Sequence, residues 1–323
     1  MNIINNNKII IENGNIKENE LILYIRNYQL NKEIQIMNYD NNEEKEEREK
    51  NIDIKINNIN IDYNWTYKFS IENKYKIVFK FKKSLKSISS LFSGCKYKNI
   101  DLYDIDISQV TTMKKLFDNC RELENINFYN LNTNNVKDMS YMCYNCKSLI
   151  SIDISNFKTD NVINMSYMFC GCVNLKEIKG LNNLNTKNVR SMKEMFYNCQ
   201  NLISIDISNF NTDNVTDISL MFYGCNNLKE IKGLNNLNTK NIKDMSCMFS
   251  KCKNLISIDI SNFKTDNIEN LSYMFYGCNN LKELNITHFT LKKSCNTKNI
   301  FKGICKKGFK LIVNDEIIRN LFI

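Results

Sequence analysis

Apolar residues recur along most of this chain in one figure. They stand ten, seven, four and three places ahead of a cysteine, as Val215, Ile218, Met221 and Phe222 do before Cys225. That spacing predicts a short helical turn with one apolar face. After the cysteine the period changes to two. Leu202, Ile205 and Ile207 follow Cys199, and Leu255, Ile258 and Ile260 follow Cys252, which predicts a short buried strand. Glycine (Gly94, Gly171, Gly224, Gly277) or asparagine (Asn119, Asn145, Asn198) precedes most of these cysteines, and both residue types accept the left-handed backbone that ends a helical turn.

The cysteines form a ladder. Cys95, Cys120, Cys146, Cys172, Cys199, Cys225, Cys252 and Cys278 are separated by 25, 26, 26, 27, 26, 27 and 26 residues. A fixed period of this length predicts a solenoid, because one such unit cannot bury its own apolar face and is stable only when stacked on its neighbours. The expected fold class is therefore an α/β repeat with short parallel strands and short helical turns. About eight to nine coils are expected over residues 84–309, with a β-rich capping module over 1–83 and a C-terminal cap over 310–323.

A longer period overlies the first. S-I-D-I-S-N-F-x-T-D-N begins at Ser151, Ser204 and Ser257, and E-I-K-G-L-N-N-L-N-T-K-N begins at Glu177 and Glu230, so whole blocks recur at 53 residues as a duplicated two-coil cassette. Strand alternation sends the residues five and seven places after each cysteine to the outer face. The candidate interaction face is thus Ser151, Asp153, Glu177, Lys179, Ser204, Asp206, Glu230, Lys232, Ser257 and Asp259. Neighbouring strands lie about 4.8 Å apart, which places Asp beside Lys from coil to coil. Exposed pairs of this kind contribute about 0–1 kcal/mol each, so they set stacking order and neutralise the face rather than hold the fold. A second ladder, Thr-x-Asn, runs from Thr133/Asn135 to Thr297/Asn299 and is expected to satisfy backbone groups at the turns.

The first ninety residues lack the ladder. Leu21–Tyr28 and Glu33–Tyr39 alternate about a Leu30–Lys32 turn, and Ile52–Ile56, Ile59–Tyr63, Tyr67–Ile71 and Tyr75–Phe81 read as further strands. The charge run Asn41–Lys50 reads as a solvated loop with room for a helical turn, rather than a recognition tail. Leu85, Ile88, Leu91 and Phe92 already keep the repeat's spacing to Cys95, so the module abuts the first coil and is expected to cap it.

Charge excludes one class of function. The net charge is +9, but residues 91–285 carry 21 basic and 20 acidic side chains, so the repeats are electroneutral and lack the basic face that nucleic-acid binding needs. Residues 286–323 carry 8 basic and 2 acidic side chains, which reads as a solubilising end. Proline and alanine are absent and Asn, Ile and Lys abound, a bias that reflects codon usage and warns against assigning function to any single Asn or Lys.

The thirteen cysteines do not read as disulfides or metal ligands. Eight share one phase and are expected to be buried free thiols. Cys143 and Cys146 form C-x-x-C, yet Cys143 aligns with Phe169, Phe196 and Phe222 as a core position, and no second pair completes a zinc site. Cys295 is off the ladder and is the expected reactive thiol. The single histidine, His288, aligns with the turn residues Asn156, Asn209 and Asn262. No nucleophile motif, paired catalytic carboxylates, phosphate loop or dinucleotide fingerprint accompanies it, so neither catalysis nor a cofactor is expected.

The repeat core, Met165–Phe169 with Gly171 and Cys172 and then Ser204–Val215, resembles the BspA-like leucine-rich-repeat proteins, also described as bacterial-surface-protein or mycoplasma-lipoprotein-type repeats. The resemblance covers about Leu85 to Cys305. It implies a non-enzymatic leucine-rich-repeat solenoid associated with cell surfaces, adhesion and protein binding. The expected function is a scaffold that binds a protein or glycoconjugate partner through the solenoid surface, with no nucleic acid and no membrane insertion. A structural or self-assembling repeat protein and a hydrolase on a repeat scaffold are the alternatives. Met1–Gly14 shows no export signal, so cell surface and cytoplasm both remain open, and sequons at Asn64, Asn164, Asn214, Asn270 and Asn285 are expected to be unglycosylated.

Overall fold

A computed structural model describes residues 20–26, 32–70, 74–103, 107–129 and 131–322. Met1–Gly14 and most of the Leu30–Lys32 turn lie outside the described residues. The N-terminal module holds β1 (Glu20–Arg26), β2 (Glu33–Gln35), α1 (Asn42–Asn51), β3 (Ile52–Ile56), β4 (Ile59–Ile61), β5 (Thr66–Lys68) and β6 (Lys74–Phe81). Each coil then gives one strand: β7 (Asn99–Tyr103), β8 (Asn125–Tyr129), β9 (Ser151–Asp153), β10 (Glu177–Lys179), β11 (Ser204–Asp206), β12 (Glu230–Lys232), β13 (Ser257–Asp259), β14 (Glu283–Asn285) and β15 (Lys310–Ile312), closed by α2 (Glu316–Phe322). The coil strands pair in parallel, with Ile126 beside Ile152 and Ile152 beside Ile178. Single bridges, from Ser87↔Thr112 to Asn270↔Asn296, tie the coils again on the other side. The chain is a parallel β-solenoid with few helices.

The expected helical turns are not helices. In each coil alternate N–H groups are given to the next coil, as Met113, Lys115, Phe117 and Asn119 donate to the carbonyls of Asp138, Ser140, Met142 and Tyr144. The residues between them close three-residue turns inside the coil, as Leu116 does on Met113 and Asp118 on Lys115. Donors committed to a neighbouring coil cannot make the i→i−4 bonds of an α-helix. Left-handed residues also interrupt every coil five and one places before the ladder position, for example Lys115 (φ 56°) and Asn119 (φ 58°), or Cys247 (φ 55°) and Lys251 (φ 61°).

The interior is a set of columns along the stack. Phe169, Phe196, Phe222, Phe249, Phe275 and Phe301 stack with centroids 5.6–6.1 Å apart. Cys143 stands in that column, fully buried. All thirteen cysteines are free thiols. From Cys120 to Cys278 each ladder Sγ donates to a carbonyl of the preceding coil at 2.9–3.1 Å, as Cys146 does to Phe117. Threonine and asparagine of the second ladder reach opposite ways. Thr133 Oγ1 donates forward to Lys158 O at 2.9 Å, and Asn135 Nδ2 donates back to Ser108 O at 2.6 Å.

Three further expectations change. β1 does not pair with β2: it joins β6 on one side and β7 of the first coil on the other, both antiparallel, while β2 pairs with β5. The module's sheet is therefore continuous with the solenoid's. The charge run forms α1, whose N-cap Asn41 accepts the Glu44 N–H at 2.9 Å and whose Arg48 is buried against the first coil. In the last coil Asn299 takes a left-handed turn position and Ile304 is buried, which leaves Cys305 exposed and Cys295 half-buried. Cys305, not Cys295, is the open thiol.

Candidate functional site: the strand face

The expected face assembles in register. Ser151 stands beside Glu177 and Asp153 beside Lys179, then Ser204 beside Glu230 and Asp206 beside Lys232, then Ser257 beside Glu283 and Asp259 beside Asn285. The inner residues of these strands, such as Ile152, Ile205 and Ile258, are buried, which turns the named residues outward. Lys232 Nζ lies 3.9 Å from Asp206 and Lys310 Nζ 3.4 Å from Glu283.

The aspartates do local work as well. Asp206 Oδ1 accepts the Ser208 N–H at 3.0 Å and its hydroxyl at 2.6 Å, and Asp153 and Asp259 accept Ser155 and Ser261 N–H groups in the same way. The serine hydroxyl and amide at Asp153 and Asp206, and chiefly the amide at Asp259, hold these carboxyls below the usual range. They stay ionised and fix the strand exit. His288 Nδ1 lies 2.8 Å from Ser261 O, bridging two coils as Asn209 Nδ2 does to Asn182 O. Its position serves the stack.

Three features escaped the sequence reading. Ile150, Ile203 and Ile256 stand at the strand entrances, two coils apart, and are exposed, Ile203 by 56%. Lys176, Lys229 and Lys282 occupy the same place in the intervening coils and are also exposed. The period-two pattern drawn through Leu202, Ile205 and Ile207 passes over these isoleucines.

The second is a repeated break in the sheet. β10 and β11 do not pair, nor do β12 and β13. The E-I-K coils carry one extra residue between strand and threonine, and they spend it on a left-handed glycine and a 3-10 turn: Gly180 (φ 77°) before Leu181–Asn183, and Gly233 (φ 78°) before Leu234–Asn236. A Cβ on Gly233 would meet Ser208 Cα at 2.1 Å, so the two backbones touch there. The openings form clefts of about 490 Å³, bordered by Asp206, Lys229, Lys232, Asn235 and Asp259, and about 180 Å³, bordered by Lys176, Glu177, Asn182 and Ser204. Both mix carboxylate, ammonium and amide groups over an apolar floor. Among the described residues no group of three or more His, Cys, Asp or Glu could hold a metal ion.

The third is a stripe of half-buried tyrosines on the turn side. Tyr141 stacks on Tyr167 at 4.4 Å and Tyr197 on Tyr223 at 4.7 Å, with Lys251 Nζ 5.0 Å above Tyr223. Within each pair the rings cover one another's faces, and the Tyr167 and Tyr223 hydroxyls are engaged by Glu194 and Lys251.

Architecture and face together define a parallel β-solenoid repeat protein. The family described as "Mycoplasma protein of unknown function, DUF285" matches residues 86–204 and again 191–311, and the chain belongs to it. Comparison with curated proteins and with solved structures returns no match. Among the described residues no helix is long and apolar enough to cross a membrane.

Proposed function

We propose that the protein is a non-enzymatic interaction scaffold of the BspA-like leucine-rich-repeat kind, which binds a protein or glycoconjugate partner along the strand face. The observation that carries this reading is the exposed file Ile150, Ile203 and Ile256, set among alternating charges that cancel. Apolar anchors inside a neutral polar rim favour association with another macromolecule over solvent. Coils two apart present the same groups about 10 Å apart, so contacts with a long partner add up. The N-terminal module serves as the cap of the stack in this reading, and adhesion at a cell surface is the setting the resemblance suggests.

The test is site-directed photocrosslinking. A photoreactive residue at Ile203 or Ile256 should give a saturable adduct with one partner from the source organism's surroundings, absent when the probe is at exposed Thr216, beside the Asp217 bridge on the other side of the coil. Equal labelling from all three positions would remove the strand face from consideration.

A further inference from the structure

On the turn side one set of main-chain bonds, from four alternate residues in each coil, always runs forward along the stack. Leu271, Tyr273, Phe275 and Gly277 give their N–H groups to Asn296, Lys298, Ile300 and Lys302 of the next coil, and every earlier coil repeats the pattern. A stack built like this ends in a row of carbonyls at its N-terminal end and a row of N–H groups at its C-terminal end.

The carbonyl row is met by the N-terminal module. Arg48 donates to Ser89 O at 2.7 Å and also to Asn38 O, while Asn38 gives its N–H to Leu91 O at 2.8 Å and its Nδ2 to Ser93 O at 3.1 Å. The N–H row belongs to Thr297, Asn299, Phe301 and Gly303, and none of the four donates to a described residue. α2 closes the interior beside it by laying Phe322 against Phe301 and Phe309, while Lys302 and Gly303 stay exposed. Exposed Lys292, Lys293, Lys298, Lys302 and Lys307 lie in this last coil. Of the nearby carboxylates, Glu283 is taken by Lys310, and Asp315 Oδ1 accepts the Ile318 N–H at the start of α2.

We propose that this C-terminal edge docks an acidic polypeptide segment in extended conformation. The coils already show what satisfies such a row: carbonyls on alternate residues of a polypeptide, as Asn296–Lys302 supply to the coil before. Parallel N–H groups present partial positive charge, which adds to that of the lysines. A segment carrying Asp or Glu answers both, with its main chain on the amides and its carboxylates on the ammonium groups, a form of strand addition to an open edge.

The test uses the full chain, a labelled glutamate-rich decapeptide, a lysine-rich decapeptide and tripolyphosphate. The acidic peptide should bind saturably, about tenfold more weakly to the Lys298→Glu/Lys302→Glu variant, and more weakly as salt rises. Amide-resolved hydrogen exchange should slow at Thr297, Asn299 and Gly303 on binding and stay unchanged on the strand face. An unchanged melting temperature shows that the variant is folded. Four results would each overturn the proposal: no saturable binding, binding that leaves those amides unprotected, tripolyphosphate binding as tightly as the peptide, or self-association in sedimentation that the variant abolishes, which would give the edge to a second copy.

Discussion

Cys225 gives a buried Sγ to Phe196 O at 3.1 Å while Phe222 N–H, three places earlier, goes forward to Met248 O at 3.0 Å. A thiol suits the position because it fills a small apolar space and still offers a weak donor to a carbonyl that would otherwise have one partner fewer. Burial pushes the ladder thiols up, that of Cys225 to about 12, with the thiolate disfavoured away from water. Native protein treated with iodoacetamide should therefore label quickly at Cys305, more slowly at half-buried Cys247 and Cys295, and at the ladder only after denaturation. Peptide mapping that finds Cys225 modified as fast as Cys305 would contradict the packing. The same shift sets a pH limit. An unfolded thiol ionises near its ordinary value of 9.0 and the folded Cys225 near 12, so the folded state retains more protons across that interval. Stability should be flat with respect to these thiols below pH 9 and fall as pH rises towards 12.

The threonine ladder is equally testable. Thr212 is buried and donates to Asn238 O at 2.8 Å. Thr212→Val keeps the shape and orphans that carbonyl, which should cost about 1–2 kcal/mol in urea unfolding. An unchanged midpoint would reduce the column to space filling. The cysteine, threonine and asparagine columns were legible because each residue type returns at one phase of the period. The exposure of Ile203 was not, because an apolar residue next to a strand reads as core whether it faces in or out. Nor could Cys305 be told from a ladder cysteine, since the last coil shifts phase and seats Ile304 inside.

At the scale of elements, spacings of three and four mimicked a helix. The same spacings arise from three-residue turns linked by left-handed residues, and only the hydrogen-bond partners, which lie in other coils, distinguish the two. The strands were legible from their period of two. The sheet breaks were not, although their cause, the extra residue of the E-I-K coils, is visible as the 27-residue steps. Gly233→Ala would drive a Cβ into Ser208 and should destabilise by about 1–3 kcal/mol, read as a drop in melting temperature. A neutral substitution would mean that the turn can relax without its close contact.

α1 is another case where long-range partners decided the outcome. Its sequence is charged throughout and has no apolar face, so a solvated loop was the natural reading. Its buried member is Arg48, held by Glu44 at 3.3 Å and by carbonyls of Asn38 and Ser89. Arg48→Met should leave those carbonyls without donors and lower stability by about 2–4 kcal/mol, with the loss appearing first as faster hydrogen exchange in the Ile88–Gly94 turn. Retained protection there would show that the module is held on by its β1–β7 pairing alone.

At the scale of the molecule, the stack has a direction. One end presents carbonyls and is covered by guanidinium and amide donors, and the other presents N–H groups among lysines. Deleting residues 1–83 removes Arg48, Asn38 and β1 together, so it should expose the first coil and cause aggregation or a clear fall in melting temperature. A soluble truncation of equal stability would make the module an independent domain. The 53-residue cassette sets the remaining surface: every second coil offers an exposed isoleucine, an Asp locked by its serine, and a neighbouring Glu-Lys strand.

That surface can be separated from the fold that carries it. Ile203 and Ile256 are exposed, so Ile203→Asp/Ile256→Asp should leave the melting temperature within about 2 °C of the parent, in keeping with the small effects of surface substitutions. The same double variant, measured against the partner captured by crosslinking at Ile203, should bind at least about tenfold more weakly, as the loss of two apolar anchors requires. Undiminished binding by a normally folded double variant would contradict the account, because the strand face would then be a structural surface and not the binding one.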